Sequence, residues 1–171
     1  MADAGDTVAK RITDVAADCG ISLVASLPDG WITSLITHYS RDARFKHVAV
    51  NREESAIGLC SGAFFSGLGT FALMGASGFL TCIYAITKIN YTYQIPLLIG
   101  ITLRGRPGDR AKFHQSNGLY LQSVIQAVDI PLVPIEKADD IPRIGTAYNH
   151  SRTMSRPVVV GLTREVLRGE A

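Results

Sequence analysis

Features that usually announce a function are scarce in this chain. Only three cysteines, Cys19, Cys60 and Cys82, occur in 171 residues. They are odd in number, sit among apolar neighbours and lack metal-ligand spacing. That excludes a disulfide framework and a zinc site, and the expectation is buried free thiols in a reducing compartment. No apolar run approaches the roughly 18 residues of a membrane-crossing helix, so no membrane span is expected. The opening Met-Ala-Asp-Ala-Gly-Asp is acidic and has no apolar core, so no secretory signal and a cytoplasmic location are expected. Neither sign of charge dominates: 17 Lys and Arg face 15 Asp and Glu, for a net charge of +2 and a pI near 8.5. This bias is too mild to point to nucleic acid. No Gly-x-Gly-x-x-Gly opens a helix, no Gly-Lys-Ser/Thr occurs, and no Gly-x-Ser-x-Gly elbow appears. Dinucleotide-binding, P-loop and α/β-hydrolase readings fall with them.

Short apolar packets at regular intervals are what the chain does contain, within a composition that is 47% hydrophobic and 19% charged. Val8, Ile12, Val15 and Cys19 keep three- and four-residue spacing, which predicts an amphipathic helix ending near Gly20. A strand over Ile21 to Leu27 follows, then the turn Pro28-Asp29-Gly30, then a helical period through Trp31, Leu35, Ile36 and Tyr39. The alternation continues with strands near His47 to Val50, Thr70 to Met74, Ile95 to Leu103, Leu132 to Ile135 and Pro157 to Leu162. Helices are expected near Glu53 to Gly67, Phe79 to Lys88, Leu119 to Val128 and Asp139 to His150. Such alternation predicts a single three-layer α/β domain spanning residues 1–171, its parallel sheet of about six strands covered by helices on both faces.

Chemistry is expected first at Asn51 to Gly67, where two carboxylates, Glu53 and Glu54, stand between an apolar strand and a helix of small residues. Open α/β sheets bind ligands beyond the carboxyl ends of their strands. A helix-dipole role suits either carboxylate equally well. The stretch Arg104 to Gly118, expected as the longest loop, should share that rim. Its four cationic side chains and His114 suit an anionic substrate, and suit a solvated basic loop as well. His38, His47 and His150 have no partner at useful spacing and are expected in packing or surface roles.

The order Asn51-x-Glu53-x-x-Ala56, followed by Gly62, resembles the pyrimidine-binding domain of thiamine-diphosphate-dependent decarboxylases. Further on, Leu73-Met-Gly-Ala-Ser-Gly78, Ile95-Pro-Leu-Leu-Ile99, Arg104-Gly-x-Pro-Gly108 and His114-x-x-x-Gly118 occur in the order seen in phosphonopyruvate decarboxylases and the alpha subunit of sulfopyruvate decarboxylase. The resemblance covers about Val24 to Val160 and implies the thiamine-diphosphate-binding fold, pyrimidine type. It implies that Glu53 shares a proton with the cofactor's pyrimidine nitrogen, and that Gly75, Ala76, Ser77 and Phe79 line the cofactor cleft. It further implies Asp29, Arg104, Arg106 and His114 beside a small 2-oxo acid, with His114 also moving protons. The Gly-Asp-Gly and downstream Asn that bind magnesium and diphosphate in single-chain relatives are missing, since Gly108-Asp109-Arg110 lies in another motif. A beta subunit is therefore expected to hold the diphosphate and Mg2+ in a hetero-oligomer, with no metal ligands on this chain and no activity alone.

One departure stands out. Relatives carry Met-Gln-Asn-Ser-Gly-x-x-Asn where this chain has Met74-Gly-Ala-Ser-Gly-Phe-Leu-Thr81. The loss of three amides predicts a roomier, more apolar pocket suited to a larger 2-oxo acid or to carboligation. A carboligase or lyase subunit on the same scaffold, or a non-catalytic partner-binding subunit, are the alternatives.

Overall fold

A computed structural model describes residues 4–170. Its strands are β1 (Ile21–Ser26), β2 (Lys46–Ala49), β3 (Gly69–Gly75), β4 (Leu97–Thr102), β5 (Leu132–Ile135) and β6 (Pro157–Leu162). All pair in parallel, in the order β2-β1-β3-β4-β6-β5, the six-stranded α/β sheet expected from the alternation. Every residue of β4 and β6 is buried, because helices cover both faces and continuous apolar runs suit that setting.

Alternate side chains feed two cores, as the two-residue period of a strand requires. Val24, Phe71, Leu73, Leu98, Val158 and Val160 meet α1 (Ala4–Asp18), α2 (Thr33–Arg41), α7 (Arg143–Met154) and α8 (Arg164–Arg168) on one face. Ala25, Ala72, Met74, Ile99, Ile101 and Val159 meet α3 (Glu53–Phe64), α4 (Ala76–Thr81) and α6 (Gln115–Ala127) on the other. Between α4 and β4 the chain turns through a three-residue α5 (Ile83–Ala85) into a π-helical stretch, Ile86–Tyr91.

Several boundaries differ from the sequence expectation for identifiable reasons. The helix after β3 starts at Ala76, three residues before Phe79, because Gly75 in extended conformation ends the strand directly at the helix. The expected long loop is shorter: a 3-10 turn over Lys112–His114 leads into α6, whose first turn is Gln115 to Gly118. Polar residues and a glycine hide the helical period there. Pairing of β4 begins at Leu97, after Pro96, which has no N–H for the ladder. The short α8, capped by the Thr163 hydroxyl accepting from the Val166 N–H (3.3 Å), carries too few residues to show a period.

Beyond β1 the chain steps to β2 at the sheet edge, then returns to β3 on the opposite side of β1. The crevice between the carboxyl ends of β1 and β3 is thus a topological switch point, where such sheets bind ligands.

Candidate functional site

Glu53 is the first residue of α3, four residues past the end of β2. Its side chain is half-buried and crosses to α4, where it fills the place a Cβ on Gly78 would occupy. Only glycine at position 78 leaves room for this carboxylate. Glu54 turns to its own backbone N–H and to Arg52 (3.5 Å), which hold its carboxyl below the usual carboxylate range. Both carboxylates reach α4, Glu53 at Gly78 and Glu54 at Thr81, but only Glu53 packs into the space left by a missing side chain.

At the switch point the Asp29 carboxylate, in the loop after β1, lies against Gly75 at the end of β3. A Cβ there would stand 2.7 Å from Asp29 Oδ2. The same oxygen accepts from Arg104 Nη2 at 2.6 Å, joining the loops after β1 and β4 through an ion pair whose side chains are 11% and 15% exposed. Arg104 Nη1 meets His114 Nε2 at 2.5 Å, and His114 Nδ1 meets Asp109 Oδ2 at 2.8 Å. A guanidinium only donates, so Nε2 is the acceptor and Nδ1 carries the hydrogen. Asp109 also accepts from the Gly105 N–H (3.0 Å) and the Ala111 N–H (3.1 Å). Burial opposes the charge on Asp109, but these amides and His114 outweigh it and hold the carboxyl below its ordinary range. Trp31 covers the group: Arg104 stacks 5.0 Å from its ring centroid, Arg164 5.9 Å, and His114 packs edge-on at 5.7 Å.

Of the residues picked from sequence, Asp29, Gly75, Arg104 and His114 therefore meet directly, with Glu53 against Gly78 at the next turn of chain along α4. Arg106 does not join them; it is half-exposed and pairs with Glu136 at 2.7 Å. Ala76 and Phe79 are fully buried in the core shared by α3 and the sheet, so their side chains do not line an open cleft. Asp29 takes the space beside Gly75 and Glu53 the space beside Gly78, so no side chain beyond hydrogen fits at either position without displacing a carboxylate. Ser77 is exposed and donates to Asn117 Oδ1 on α6 at 3.2 Å.

Sequence reasoning missed Asp109, Trp31, Asn117 and Arg164. Asp109 was legible in principle, being five residues from His114, but the other three reach the rim only through the fold. Three buried polar atoms here have no hydrogen-bond partner: Thr102 Oγ1, Arg104 Nε and Asn117 Nδ2. A cleft of about 450 Å³ opens between the loop after β4, β5 and α6 and is lined by Arg104, Asn117 and Gly118 among others. Among the described residues no group of three or more His, Cys, Asp or Glu is placed to hold a metal ion. None of their helices is long and apolar enough to cross a membrane.

No protein-family profile matches the chain. It is 30% identical over 159 residues to the protein named sulfopyruvate decarboxylase subunit alpha of Methanococcus maripaludis, covering 92% of this chain and 93% of that one. The chain belongs to the sulfopyruvate decarboxylase alpha-subunit family. A sulfopyruvate decarboxylase of Methanosarcina acetivorans is 24% identical over 157 residues, and the match spans 40% of that longer protein. Among solved structures, the 2-oxoglutarate:ferredoxin oxidoreductase of Magnetococcus marinus superimposes with a TM-score of 0.71. It does so over 98% of this chain and 30% of that chain, at 14% identity, a likeness of fold alone.

Proposed function

We propose that this chain is the alpha subunit of a two-chain thiamine-diphosphate-dependent decarboxylase, with residues 1–171 forming its pyrimidine-binding domain. Its substrate is a small 2-oxo acid with an anionic tail, of which sulfopyruvate is the type. The observation that carries the reading is the seat of Glu53, a half-buried carboxylate held at a strand-to-helix junction by the missing side chain of Gly78.

The residues present fit one end of the cofactor. An aminopyrimidine asks for a single carboxylate at its ring nitrogen, and of the two acids opening α3 it is Glu53 that packs against Gly78. The diphosphate end asks for a divalent cation, and the name of the relatives, subunit alpha, supports a second chain that could hold it. We assign the diphosphate and Mg2+ to a beta subunit, so that the site is completed between two chains. Bound thiamine diphosphate supplies the carbon nucleophile and the electron sink that a 2-oxo acid needs to lose carbon dioxide.

Glu53 shares a proton with the pyrimidine nitrogen, and its half-buried setting strengthens that hydrogen bond by excluding water. Gly75, Ala76, Ser77 and Phe79 present the start of α4 to the cofactor, Gly75 and Ser77 from the surface and the other two by backbone. Arg104 and Arg106 place guanidinium groups at the rim for an anionic acid, Arg104 with its Nε still unpartnered. Asp29 and His114 hold Arg104 in place. His114, with Nε2 on the rim side, is placed to move a proton during decarboxylation or product release. Carboligation on the same scaffold is the second reading, favoured by the three amides that the segment Met74 to Thr81 lacks.

The test is co-purification with a chain of similar length carrying Gly-Asp-Gly and a downstream Asn. The pair is then assayed for thiamine diphosphate binding and for carbon dioxide release from sulfopyruvate. Glu53→Gln should lower turnover roughly 10²–10⁴-fold with an unchanged melting profile, the usual weight of a proton-transfer group. Near-normal turnover by that variant would overturn the role of Glu53. A pair unable to bind thiamine diphosphate would leave only a non-catalytic, partner-binding subunit.

A further inference from the structure

We propose that Asn117, with Nε of Arg104, forms the subsite that holds the anionic tail of the substrate and sets selectivity for tailed over untailed 2-oxo acids. This rests on the decarboxylase reading above and deepens it.

Asn117 is 2% exposed, yet it lines the cleft between the loop after β4, β5 and α6. Its Oδ1 is engaged by the Ser77 hydroxyl, which fixes the amide plane and leaves Nδ2 buried with no partner. Arg104 lines the same cleft; its Nη1 and Nη2 are engaged by His114 and Asp29, and its Nε has no partner. A buried donor without an acceptor is costly, so two beside one cleft point to a ligand that binds there. Both atoms only donate, so their ligand must accept, and the cationic guanidinium favours an anion. Arg106 and Glu136, also on the cleft, pair with each other, so neither presents a free donor there, whereas Arg104 keeps an unpaired N–H beside its ion pair with Asp29.

Physical chemistry distinguishes the two ends of the substrate. The carboxylate that leaves as carbon dioxide loses its charge in the transition state, so donors aimed at it would stabilise the ground state and slow the reaction. The tail keeps its charge throughout, so fixed donors there bind ground state and transition state alike. Asn117 and Arg104 Nε are fixed by Ser77, His114 and Asp29, which suits the tail. The amide on α6 also stands beside α4, the segment from which the relatives' amides are missing.

The experiment uses the co-purified pair of chains carrying Asn117→Ala or the isosteric Asn117→Asp. Affinity is measured for sulfoacetate, a sulfonate that cannot be decarboxylated in this way, alongside kcat/KM for sulfopyruvate and for pyruvate, which lacks the tail. Both variants should weaken sulfoacetate binding about tenfold, the worth of one charge-assisted hydrogen bond, with Asp worse than Ala because it repels the anion. The kcat/KM for sulfopyruvate should fall about tenfold further than that for pyruvate. An equal fall for both acids, or undiminished sulfoacetate affinity, overturns the subsite. If the wild-type pair binds sulfoacetate in an Asn117-dependent way but decarboxylates neither acid, the subsite stands and the decarboxylase reading falls.

Discussion

A methyl group on Gly78 and the carboxylate of Glu53 claim the same space, and the two responses available have different consequences. The obstacle is the end of a side chain, so the backbone of α4 can stay while the carboxylate swings out. Gly78→Ala should therefore leave the melting midpoint within a few degrees, helped by the roughly 1 kcal/mol advantage of Ala over Gly in a helix. Turnover of the assembled pair should drop nearly as far as with Glu53→Gln, and full activity would show that this seat is immaterial. Asp109 works through charge instead. Its folded carboxyl lies below the ordinary range, so its contribution is complete above about pH 4, the unfolded value, and is lost as pH falls through the folded one. Urea titrations of Asp109→Asn should show a deficit of about 2 kcal/mol at neutral pH that closes in acid. A gap that persists at low pH would mean that packing, not ionisation, makes the difference.

At the scale of elements, the loop after β4 is joined to the start of α6 through two glycines. Gly105 has φ +75°, and a Cβ on it would overlap the His114 carbonyl oxygen; a Cβ on Gly118 would overlap the Gly105 carbonyl oxygen. Backbone cannot step aside as a side chain can, so Gly118→Ala should destabilise the fold by about 2–3 kcal/mol. Gly58 in α3 meets nothing within 4 Å, and its replacement by Ala should stabilise by up to about 1 kcal/mol. Denaturant midpoints of the two variants check the contrast. The same contact explains why α6 was hard to place from sequence: its first turn, Gln-Ser-Asn-Gly, is chosen for close approach and for His114 and Asn117, and carries no apolar stripe. Strands β5 and β6 matched their expected bounds because turn residues bracket their apolar runs.

For the whole molecule, two cores on either side of one sheet decide where reactive groups lie. Cys60 and Cys82 are buried in the core beneath α3, and burial pushes both thiols up to about 12; Cys19, partly exposed, is raised as well. A thiol reagent at pH 8 should label Cys19 alone, and slowly, in the native protein and all three after unfolding. Because the folded thiols hold their protons longer than unfolded ones, stability should decline as pH climbs past the ordinary thiol range near 8.5. Rapid native labelling of Cys60 or Cys82 would contradict this packing. The sequence by itself determined the alternation of strands and helices, the burial of the sheet on both faces and the carboxylate at the end of β2, because periodicity and motif order are local properties. Only the tertiary structure decided which side chains meet. Asp29 and Arg104 are 75 residues apart, Ser77 and Asn117 40 apart, and their contact depends on β1 and β4 both flanking β3 and on α6 lying beside α4. Strand order is set by how whole layers pack, and no local pattern of residues encodes it.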